Sequence, residues 1–233
     1  MKIVITGASR GLGFSMAEAF ATEGHDLFLT ARNEVKLYNA LESLQSRFPD
    51  QIIKAMPFDL SSKTGAMDFG NWVLGLGVEP DILINNAGSF EPGRIIDEPE
   101  GQLENMLSTN LLSAYHITRL LIPSMMKRKS GHIFNISSIA ALQAYPNGGS
   151  YSISKFALTG FSKNLRDELK PYSVKVTCIY PGAVYTDSWA ATGVTPGRIM
   201  KPSDIADTVV QISKLSPQAL VEELVIRPLA GDL

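Results

Sequence analysis

The sequence predicts an α/β fold in which helices cover both faces of a mostly parallel sheet. Short apolar runs alternate with longer helical patterns along the chain. Most of the short runs are continuously apolar, as expected of strands that are buried on both faces of a parallel sheet. Because this alternation is typical of βαβ units with right-handed crossovers, we expect a doubly wound sheet of about seven strands.

The boundaries of the elements follow from the same patterns. The β-rich runs predict strands at 2–6, 26–31, 52–58, 81–86, 132–137, 175–180 and 223–227. The helical patterns between them lie near 12–23, 34–48, 62–76, 102–128, 150–170 and 203–214. The sequence has no internal repeat and no long linker, so we expect residues 1–233 to form one domain. The irregular segment 181–201, rich in Gly, Pro, Thr and Ala, is expected to form a loop over a site.

Composition narrows the class of protein. With 233 residues and 45% apolar content the chain can bury a large core, and a net charge of −2 gives no reason to expect nucleic acid as a partner. Its one cysteine, Cys178, excludes a disulfide within the chain and fits a reducing compartment. The apolar run at the N-terminus is too short for a signal peptide, and no stretch approaches the roughly 20 apolar residues of a membrane span. We therefore expect a cytoplasmic protein that does not bind membranes.

The expected helix at 102–128 is apolar around most of its circumference. Its apolar residues are Leu107, Leu111, Leu112, Ile117, Leu120, Leu121, Ile122 and Met125. One face should cover the sheet, and the other then needs a second burial partner. We expect a homodimer or homotetramer.

A glycine-rich turn joins the first strand to the first helix. It reads TGASRGLG, so its glycines are spaced G-x-x-x-G-x-G instead of G-x-G-x-x-G. Such a turn lets the backbone approach a pyrophosphate, and the helix N-terminus supplies free N–H groups and a positive dipole. A plain strand-to-helix turn is the alternative interpretation. The residues expected to bind the dinucleotide here are Gly7, Ser9, Arg10, Gly11, Leu12 and Gly13.

The end of the second strand bears on which dinucleotide is bound. An NAD site asks for an acidic residue that holds the ribose 2′-hydroxyl, but this strand ends in Thr30-Ala31-Arg32-Asn33. Arg32 sits where a 2′-phosphate would lie, and Arg10 can approach it from the glycine turn. We therefore expect NADP(H) to be favoured over NAD(H), unless both arginines are ordinary solvated residues.

Two further strand ends supply candidate cofactor contacts. Asp59, followed by Leu60, is open to two interpretations: it accepts from the adenine amino group, or it caps the following helix. Asn86, Ala87 and Gly88 follow the fourth strand at the carboxyl edge of the sheet, where small residues let a cofactor lie against backbone.

Tyr151 and Lys155, in the sequence YSISK, pair a phenol with an ammonium one helical turn apart. Reduction of a carbonyl needs a donor that stabilises and then protonates the developing alkoxide. A free tyrosine has a pKa of about 10, and a nearby lysine charge favours the phenolate and lowers that pKa. A core stripe on the same helix (Ile153, Ala157, Phe161, Leu165, Leu169) lies roughly 200° away, which leaves the pair free to face a cleft.

Taken together, TGASRGLG, NNAG and SYSISK resemble the short-chain dehydrogenase/reductase family over essentially the whole chain. Further matches are Asn110 in LSTNLL, Ser138 in NISSIA, and Pro181-Gly182-Ala183-Val184-Tyr185-Thr186. Ser138 and Tyr151 are thirteen residues apart, as in that family. The resemblance implies a Rossmann-type fold.

The resemblance also implies roles for individual residues. Tyr151 would be the general acid/base, and Lys155 would also hold the nicotinamide ribose hydroxyls. Ser138 would bond the substrate oxygen, with the neighbouring Ser137 as a competing assignment, and Asn110 would position a water in a proton relay. Ser138 has a simpler alternative as the cap of a turn, and Asn110 as a partner of helix backbone. The implied cofactor contacts after the sixth strand are Pro181, Gly182, Val184 and Thr186.

These features predict an NADPH-dependent carbonyl reductase that also works in reverse as an alcohol dehydrogenase. A fatty-acid-type 3-oxoacyl-thioester reductase uses the same residues and is the alternative within the enzyme class. A regulator that senses NADP(H) without turnover is the alternative from another class. His25, His116 and His132 have no spacing that suggests a metal site, and Cys178 is expected to be a buried core thiol.

Overall fold

The computed structural model describes residues 1–186 and 193–232, and within these ranges seven strands form one sheet. The strands are β1 Lys2–Thr6, β2 Asp26–Thr30, β3 Ile53–Ala55, β4 Ile82–Asn85, β5 Gly131–Ile136, β6 Val174–Pro181 and β7 Glu223–Ile226. Their order is β3-β2-β1-β4-β5-β6-β7, and every neighbouring pair is parallel. The predicted fold class is confirmed.

Within the described ranges, seven α-helices connect these strands. They are α1 Gly11–Thr22, α2 Glu34–Arg47, α3 Lys63–Gly75, α4 Gln102–Leu107, α5 Ser113–Arg128, α6 Gly149–Leu169 and α7 Pro202–Ser213. Short 3-10 turns lie at Ile139–Ala141, Lys170–Tyr172 and Pro196–Arg198. The helix expected at 102–128 is interrupted by a π-helical segment, Ser108–Leu112, and such segments occur frequently at functional sites.

Each face of the sheet carries its own hydrophobic core, which explains the continuously apolar strands. Along β1, Ile3 and Ile5 point into one core, and Val4 points into the other. The first core is closed by α1, α2 and α7, and the second by α3, α5 and α6. Since successive side chains of a strand face opposite ways, a strand covered on both faces buries all of its side chains in one core or the other.

The order in which successive strands are added to the sheet reverses at β1. This strand pairs with β2 on one side and with β4 on the other, so the crossovers run to opposite edges from this point. In doubly wound sheets such a reversal opens a crevice at the carboxyl ends of the two strands, and ligands bind there. The carboxyl ends of β1 and β4 are Thr6 and Asn85.

The third strand is shorter than expected. The sequence pattern extends over 52–58, whereas β3 comprises only Ile53–Ala55. The strand lies at the edge of the sheet and is followed by Pro57, which has no N–H to donate to a ladder.

The buried face of α6 also differs from the expected stripe. Ile153 is 38% exposed and Phe161 is only half-buried, although Leu165 and Leu169 are buried as expected. The face that packs on the sheet instead includes Ser162, whose hydroxyl accepts a 2.8 Å hydrogen bond from Asn135 Nδ2 of β5. Serines that form hydrogen bonds inside the protein therefore occupy much of the buried face of α6, where the sequence pattern predicted apolar side chains.

Two other residues considered as candidates, His132 and Cys178, are packed in the interior. His132 is buried, stacks on Phe134 and bonds Thr177, and burial lowers its pKa to about 3, so it is neutral. Cys178 is fully buried within β6. In the part of the chain that the structure describes, no cluster of three metal-ligating side chains occurs, and no helix is long and apolar enough to cross a membrane.

Candidate active site

The cleft begins at a joint between the carboxyl ends of β1 and β4. Thr6 Oγ1 accepts hydrogen bonds from the backbone N–H groups of Asn86 (3.0 Å) and Ala87 (2.9 Å). In return, Asn86 Nδ2 donates to the carbonyl oxygens of Thr6 (2.9 Å) and Gly7 (3.2 Å). Four hydrogen bonds therefore fix the loop after β4 against the start of the glycine-rich turn.

Two glycines of the turn are required by this joint. Gly7 has φ +67°, and a Cβ there would lie 2.9 Å from Asn86 Nδ2. Gly13 lies in the first turn of α1, where a Cβ would come within 2.2 Å of the Gly7 carbonyl oxygen. The glycines at 7 and 13 thus let helix α1 start directly against the strand end.

A cleft of about 690 Å³ lies above this joint. Of the expected cofactor residues, those that line it are Gly7, Ser9, Arg10, Arg32, Asp59, Leu60, Ala87 and Gly88. The N-cap residue of α1, Arg10, does not cap the helix with its side chain, so the first N–H groups of α1 stay available to an anion. A large cleft that ends at an uncapped helix and carries basic side chains fits a phosphorylated dinucleotide.

Asp59 does not cap helix α3. Ser62 is the N-cap and accepts from Gly65 N–H at 3.0 Å. The Asp59 carboxylate instead accepts from the Ser61 hydroxyl (2.8 Å) and N–H (3.1 Å), and these bonds lower its pKa below the ordinary value. The capping interpretation is therefore wrong, and the adenine contact remains a prediction.

At the other end of the site, Tyr151 lies in the first turn of α6, half-buried. The Ser138 side chain lies near its hydroxyl, and the ring of Phe90 packs edge-on against the Tyr151 ring at 4.8 Å between centroids. Ser138 also caps the short 3-10 turn after β5, because its Oγ accepts from Ala140 N–H at 3.1 Å. The capping interpretation of Ser138 is confirmed, and its bond to the substrate oxygen stays a prediction. The neighbouring Ser137 points away and bonds the Lys155 carbonyl oxygen.

Lys155 is almost completely buried, with 5% of its surface exposed. Its Nζ donates to the Ile136 carbonyl oxygen at 2.9 Å and lies 5.8 Å from the centroid of the Tyr151 ring. Burial lowers the pKa of Lys155 to about 8, so the ammonium form still dominates at neutral pH. The structure thus places Lys155 on the buried face of α6, whereas Tyr151 is half-buried, and neither residue lines the 690 Å³ cleft.

The pKa of Tyr151 is shifted opposite to the sequence expectation. Burial of the phenol raises this pKa, and only the hydrogen bond to Ser138 acts to lower it. Loss of hydration destabilises the phenolate. The lysine charge, bonded to backbone, does not overcome this effect in the free protein.

Asn110 lies in the π segment and is 1% exposed. Its side chain bonds both backbone groups of Ser89, at 2.8 and 3.0 Å, and donates to Ser154 Oγ at 2.9 Å. A Cβ on Gly88 would lie 3.2 Å from Asn110 Oδ1 and 3.5 Å from Lys155 Nζ, which places these groups together. Asn110 therefore binds the loop after β4, and not helix backbone.

The segment after β6 crosses the site. Thr186 approaches the glycine turn, since a Cβ on Gly11 would be 3.3 Å from Thr186 Cγ2. The Val184 side chain packs into the first core, so its own contact to a cofactor can come only from backbone. Pro181 ends β6, and Leu12 packs on the first core instead of lining the cleft. The expected substrate loop at 181–201 includes residues 187–192, which lie outside the described residues.

A second cavity of about 340 Å³ opens beside Tyr151. Its lining includes Ser138, Gly182 and Thr186, together with three residues not expected from the sequence, Tyr145, Gln143 and Asp232.

The chain segment that carries Asp232 is fastened to the loop after β6. The Arg198 guanidinium donates to the carbonyl oxygens of Gly231 (2.9 Å) and Asp232 (3.1 Å). The Asp232 carboxylate pairs with Arg227 at 2.8 Å. These contacts hold Asp232 in the lining of the cavity.

Sequence reasoning missed several residues of the site. Lys36 lines the cleft because it lies in the first turn of α2, which begins two residues after Arg32 at the end of β2. Phe90, Tyr145 and Asp232 come from loops with no periodicity, so nothing in the sequence pattern indicated them.

The family model described as short chain dehydrogenase matches residues 1–195. Together with the fold and the cleft, this match defines the class of protein as an NAD(P)-dependent oxidoreductase. The chain belongs to the short-chain dehydrogenase/reductase family, as the motifs predicted.

Relatives match over nearly the full chain. A sepiapterin reductase of Chlorobaculum tepidum is 30% identical over 239 residues, which cover 99% of this chain and 97% of the relative. The structure of an L-sorbose reductase from Gluconobacter frateurii, complexed with NADPH and L-sorbose, superposes with a TM-score of 0.91, at 26% identity over 100% of this chain and 96% of that one. An alcohol dehydrogenase of Thermococcus sibiricus, complexed with 5-hydroxy-NADP, has a TM-score of 0.90, at 27% identity over 100% and 98% of the two chains.

Replacement of Thr6 by valine tests the joint. Thr6→Val leaves two backbone N–H groups without their acceptor, so we expect the free energy of unfolding to fall by about 2 kcal/mol and NADPH binding to weaken. Urea denaturation and fluorescence titration measure the two effects.

Thr30→Val is the matched control. Thr30 pairs with Thr6 across the sheet and is equally buried, but its hydroxyl has no hydrogen-bond partner among the described residues. This variant should keep or gain stability. Equal losses in both variants would contradict the role of the joint.

Proposed function

We propose that the protein is an NADPH-dependent oxidoreductase that reduces a small ketone or aldehyde to an alcohol, reversibly. The observation that carries this proposal is the placement of Tyr151. Tyr151 and Ser138 both line the 340 Å³ cavity, and Thr186 links that cavity to the glycine turn. A proton donor thus lies at the substrate end of a cleft that fits a dinucleotide.

The chain's own residues would supply the proton and hold the oxygen, while a bound nicotinamide cofactor would supply the hydride. Tyr151 would donate its proton to the carbonyl oxygen, and Ser138 would hold that oxygen by a second hydrogen bond. Lys155 would stabilise the phenolate that remains, because its charge is buried and fixed by Ile136. Asn110 would keep the Ser89 loop in place and leave room beside Gly88 for a relay through Lys155.

The size and lining of the cavity support the proposal of a small substrate with polar groups. Its volume lies near the lower end of the range for ligand pockets, about 300–1,000 Å³. Apolar walls from Phe90 and Ile139 are combined with polar groups from Gln143 and Asp232. The bound L-sorbose in the Gluconobacter frateurii structure is a molecule of this type.

Tyr151→Phe is the decisive variant. Without the hydroxyl, kcat should fall by about 100- to 10,000-fold, because general acid catalysis contributes that much. The Kd for NADPH should stay unchanged. Steady-state rates with ketones, aldehydes and 3-oxoacyl thioesters, together with fluorescence titration, measure both quantities.

Tyr145→Phe provides the control, since Tyr145 lines the same cavity but burial raises its pKa to about 12. It should retain kcat. Full activity of Tyr151→Phe would contradict the mechanism. Turnover of thioesters alone would favour the 3-oxoacyl-thioester reductase, and NADPH binding without any turnover would favour a regulator.

The preference for NADP(H) rests on the basic side chains of the cleft. Arg10, Arg32 and Lys36 all line it, and Arg32 is close enough to Asp59 to help lower the pKa of that carboxyl. Their location after β1 and β2 suits the adenosine end of the cofactor, where only NADP(H) carries a 2′-phosphate. Relatives of known structure were crystallised with NADPH and 5-hydroxy-NADP.

Arg32→Ala should weaken NADPH binding about tenfold or more and leave NADH binding unchanged, because one charge-assisted hydrogen bond contributes about 1.5–3 kcal/mol. Kd values from fluorescence titration with both cofactors measure the effect. Arg47→Ala, which removes an arginine paired with Glu18 at the far end of α2, should change neither. Tighter binding of NADH than of NADPH by the unmodified protein would contradict the assignment.

We also propose a homodimer or homotetramer, but with a different face from the one the sequence suggested. On α5 most of the apolar residues are buried or half-buried. On α6, Ile153 (38%) and Phe156 (47%) are exposed on one side of the helix, next to the π segment with Leu112 (42%). An apolar face formed by two packed segments suits a second copy of the chain.

Phe156→Glu should place a charge in this contact and halve the particle mass measured by light scattering. Ile96→Glu is the control, because Ile96 is even more exposed (83%) but lies in the loop between β4 and α4. The control should keep the mass of the unmodified protein. A monomeric unmodified protein would contradict the proposal.

A further inference from the structure

Glu98 binds the first turn of the helix that carries Tyr151. It lies in the loop between β4 and α4, 52 residues before Ser150, the residue that it binds. Its Oε1 accepts from the Ser150 N–H at 2.8 Å, and its Oε2 accepts from the Ser150 hydroxyl. Ser150 directly precedes Tyr151 in the sequence. A carboxylate at this end of α6 is also favoured by the helix dipole.

Two glycines make room for this carboxylate. Gly149 adopts φ +32°, and a Cβ there would lie only 1.8 Å from Glu98 Oε1. A Cβ on Gly93 would lie 2.6 Å from Glu98 Cγ. The backbone of Gly93 also donates to the Asn147 carbonyl oxygen at 3.1 Å, just before α6. The local sequence is therefore arranged around the contact between Glu98 and Ser150.

The same loop reaches the catalytic residues at its other end. Phe90 packs edge-on against the Tyr151 ring, with an interplanar angle of 78°. Ser89 forms two hydrogen bonds with the Asn110 side chain: its N–H donates to Oδ1, and its carbonyl oxygen accepts from Nδ2. The loop segment 89–98 is thus attached at both ends, and Phe90 within it contacts Tyr151.

From these contacts we infer that Glu98 is a positioning residue for the reduction, an inference that rests on the proposed function. By holding loop 89–98 against α6, it fixes the Tyr151 ring between Phe90 and Ser138. Glu98 is absent from the lining of both the cleft and the cavity, so it acts on the reaction only through Tyr151 and the loop. A misplacement of a reacting group by about 1 Å can cost on the order of 100-fold in rate.

Glu98→Ala should lower kcat about 10- to 100-fold and leave the Kd for NADPH nearly unchanged. Glu98→Gln keeps a carbonyl oxygen that can accept from Ser150 N–H, so it should recover most of kcat. Amide hydrogen exchange gives a readout without turnover: the N–H groups at 150–155 should lose protection in Glu98→Ala and regain it in Glu98→Gln.

Asp97→Ala is the matched control. Asp97 is the adjacent carboxylate in the same loop, but it is exposed and pairs with Arg94. This variant should match the unmodified protein in kcat and in exchange. Ser150→Ala removes one of the two bonds to Glu98, and its effect should not add to that of Glu98→Ala in a double-mutant cycle.

Two results would overturn the inference: a folded Glu98→Ala protein with full kcat, or equal losses of kcat and NADPH affinity. Failure of the proposed function has a different signature, which is the absence of carbonyl turnover by the unmodified protein or full activity of Tyr151→Phe. If Tyr151→Phe is inactive and Glu98→Ala is not, only the positioning role fails.

Discussion

The joint between Thr6 and Asn86 is the interaction on which the rest of the site depends. It connects β1 and β4, the strands at which the strand order reverses. It uses both the side chain and the backbone of each partner. Gly7 and Gly13 are constrained by this joint, and α1 starts where it does because of them. The cleft for the dinucleotide and the loop that leads to Ser89 and Phe90 both extend from it. A small set of hydrogen bonds between strand ends thereby sets the geometry of a much larger site.

The structure also buries polar side chains whose hydrogen bonds are satisfied inside the protein. Asn85 Nδ2 donates to Thr118 and to Asn135, and Asn135 in turn donates to Ser162, which ties β4 and β5 to α5 and α6. Lys155 follows the same rule, since its buried ammonium group bonds Ile136. Buried polar contacts specify position more strictly than apolar packing does, because an unmade bond there is costly. The helix that carries Tyr151 is aligned by such contacts.

The sequence predicted what is encoded locally. Continuous apolar runs located the strands, the glycine turn located the cleft, and the motif residues Ser138, Tyr151 and Lys155 are brought together by the structure. The failures have physical causes. Apolar periodicity misassigned the buried face of α6 because serines with partners occupy it, and the helix cap went to Ser62 instead of Asp59 because the turn between them is internally bonded. Glu98 and Asp232 act through contacts across long sequence distances, which no local pattern encodes.

The position of the joint also has a consequence for how the chain folds. Asn86 and Thr6 are 80 residues apart, and the strands and helices between them build one complete half of the sheet. Closing so long a stretch of chain is entropically unfavourable and slows the formation of parallel pairings. No fragment that stops before residue 86 contains both sides of the joint. The ability to hold a dinucleotide therefore arises only after β4 has paired with β1, and not when the first βαβ unit forms.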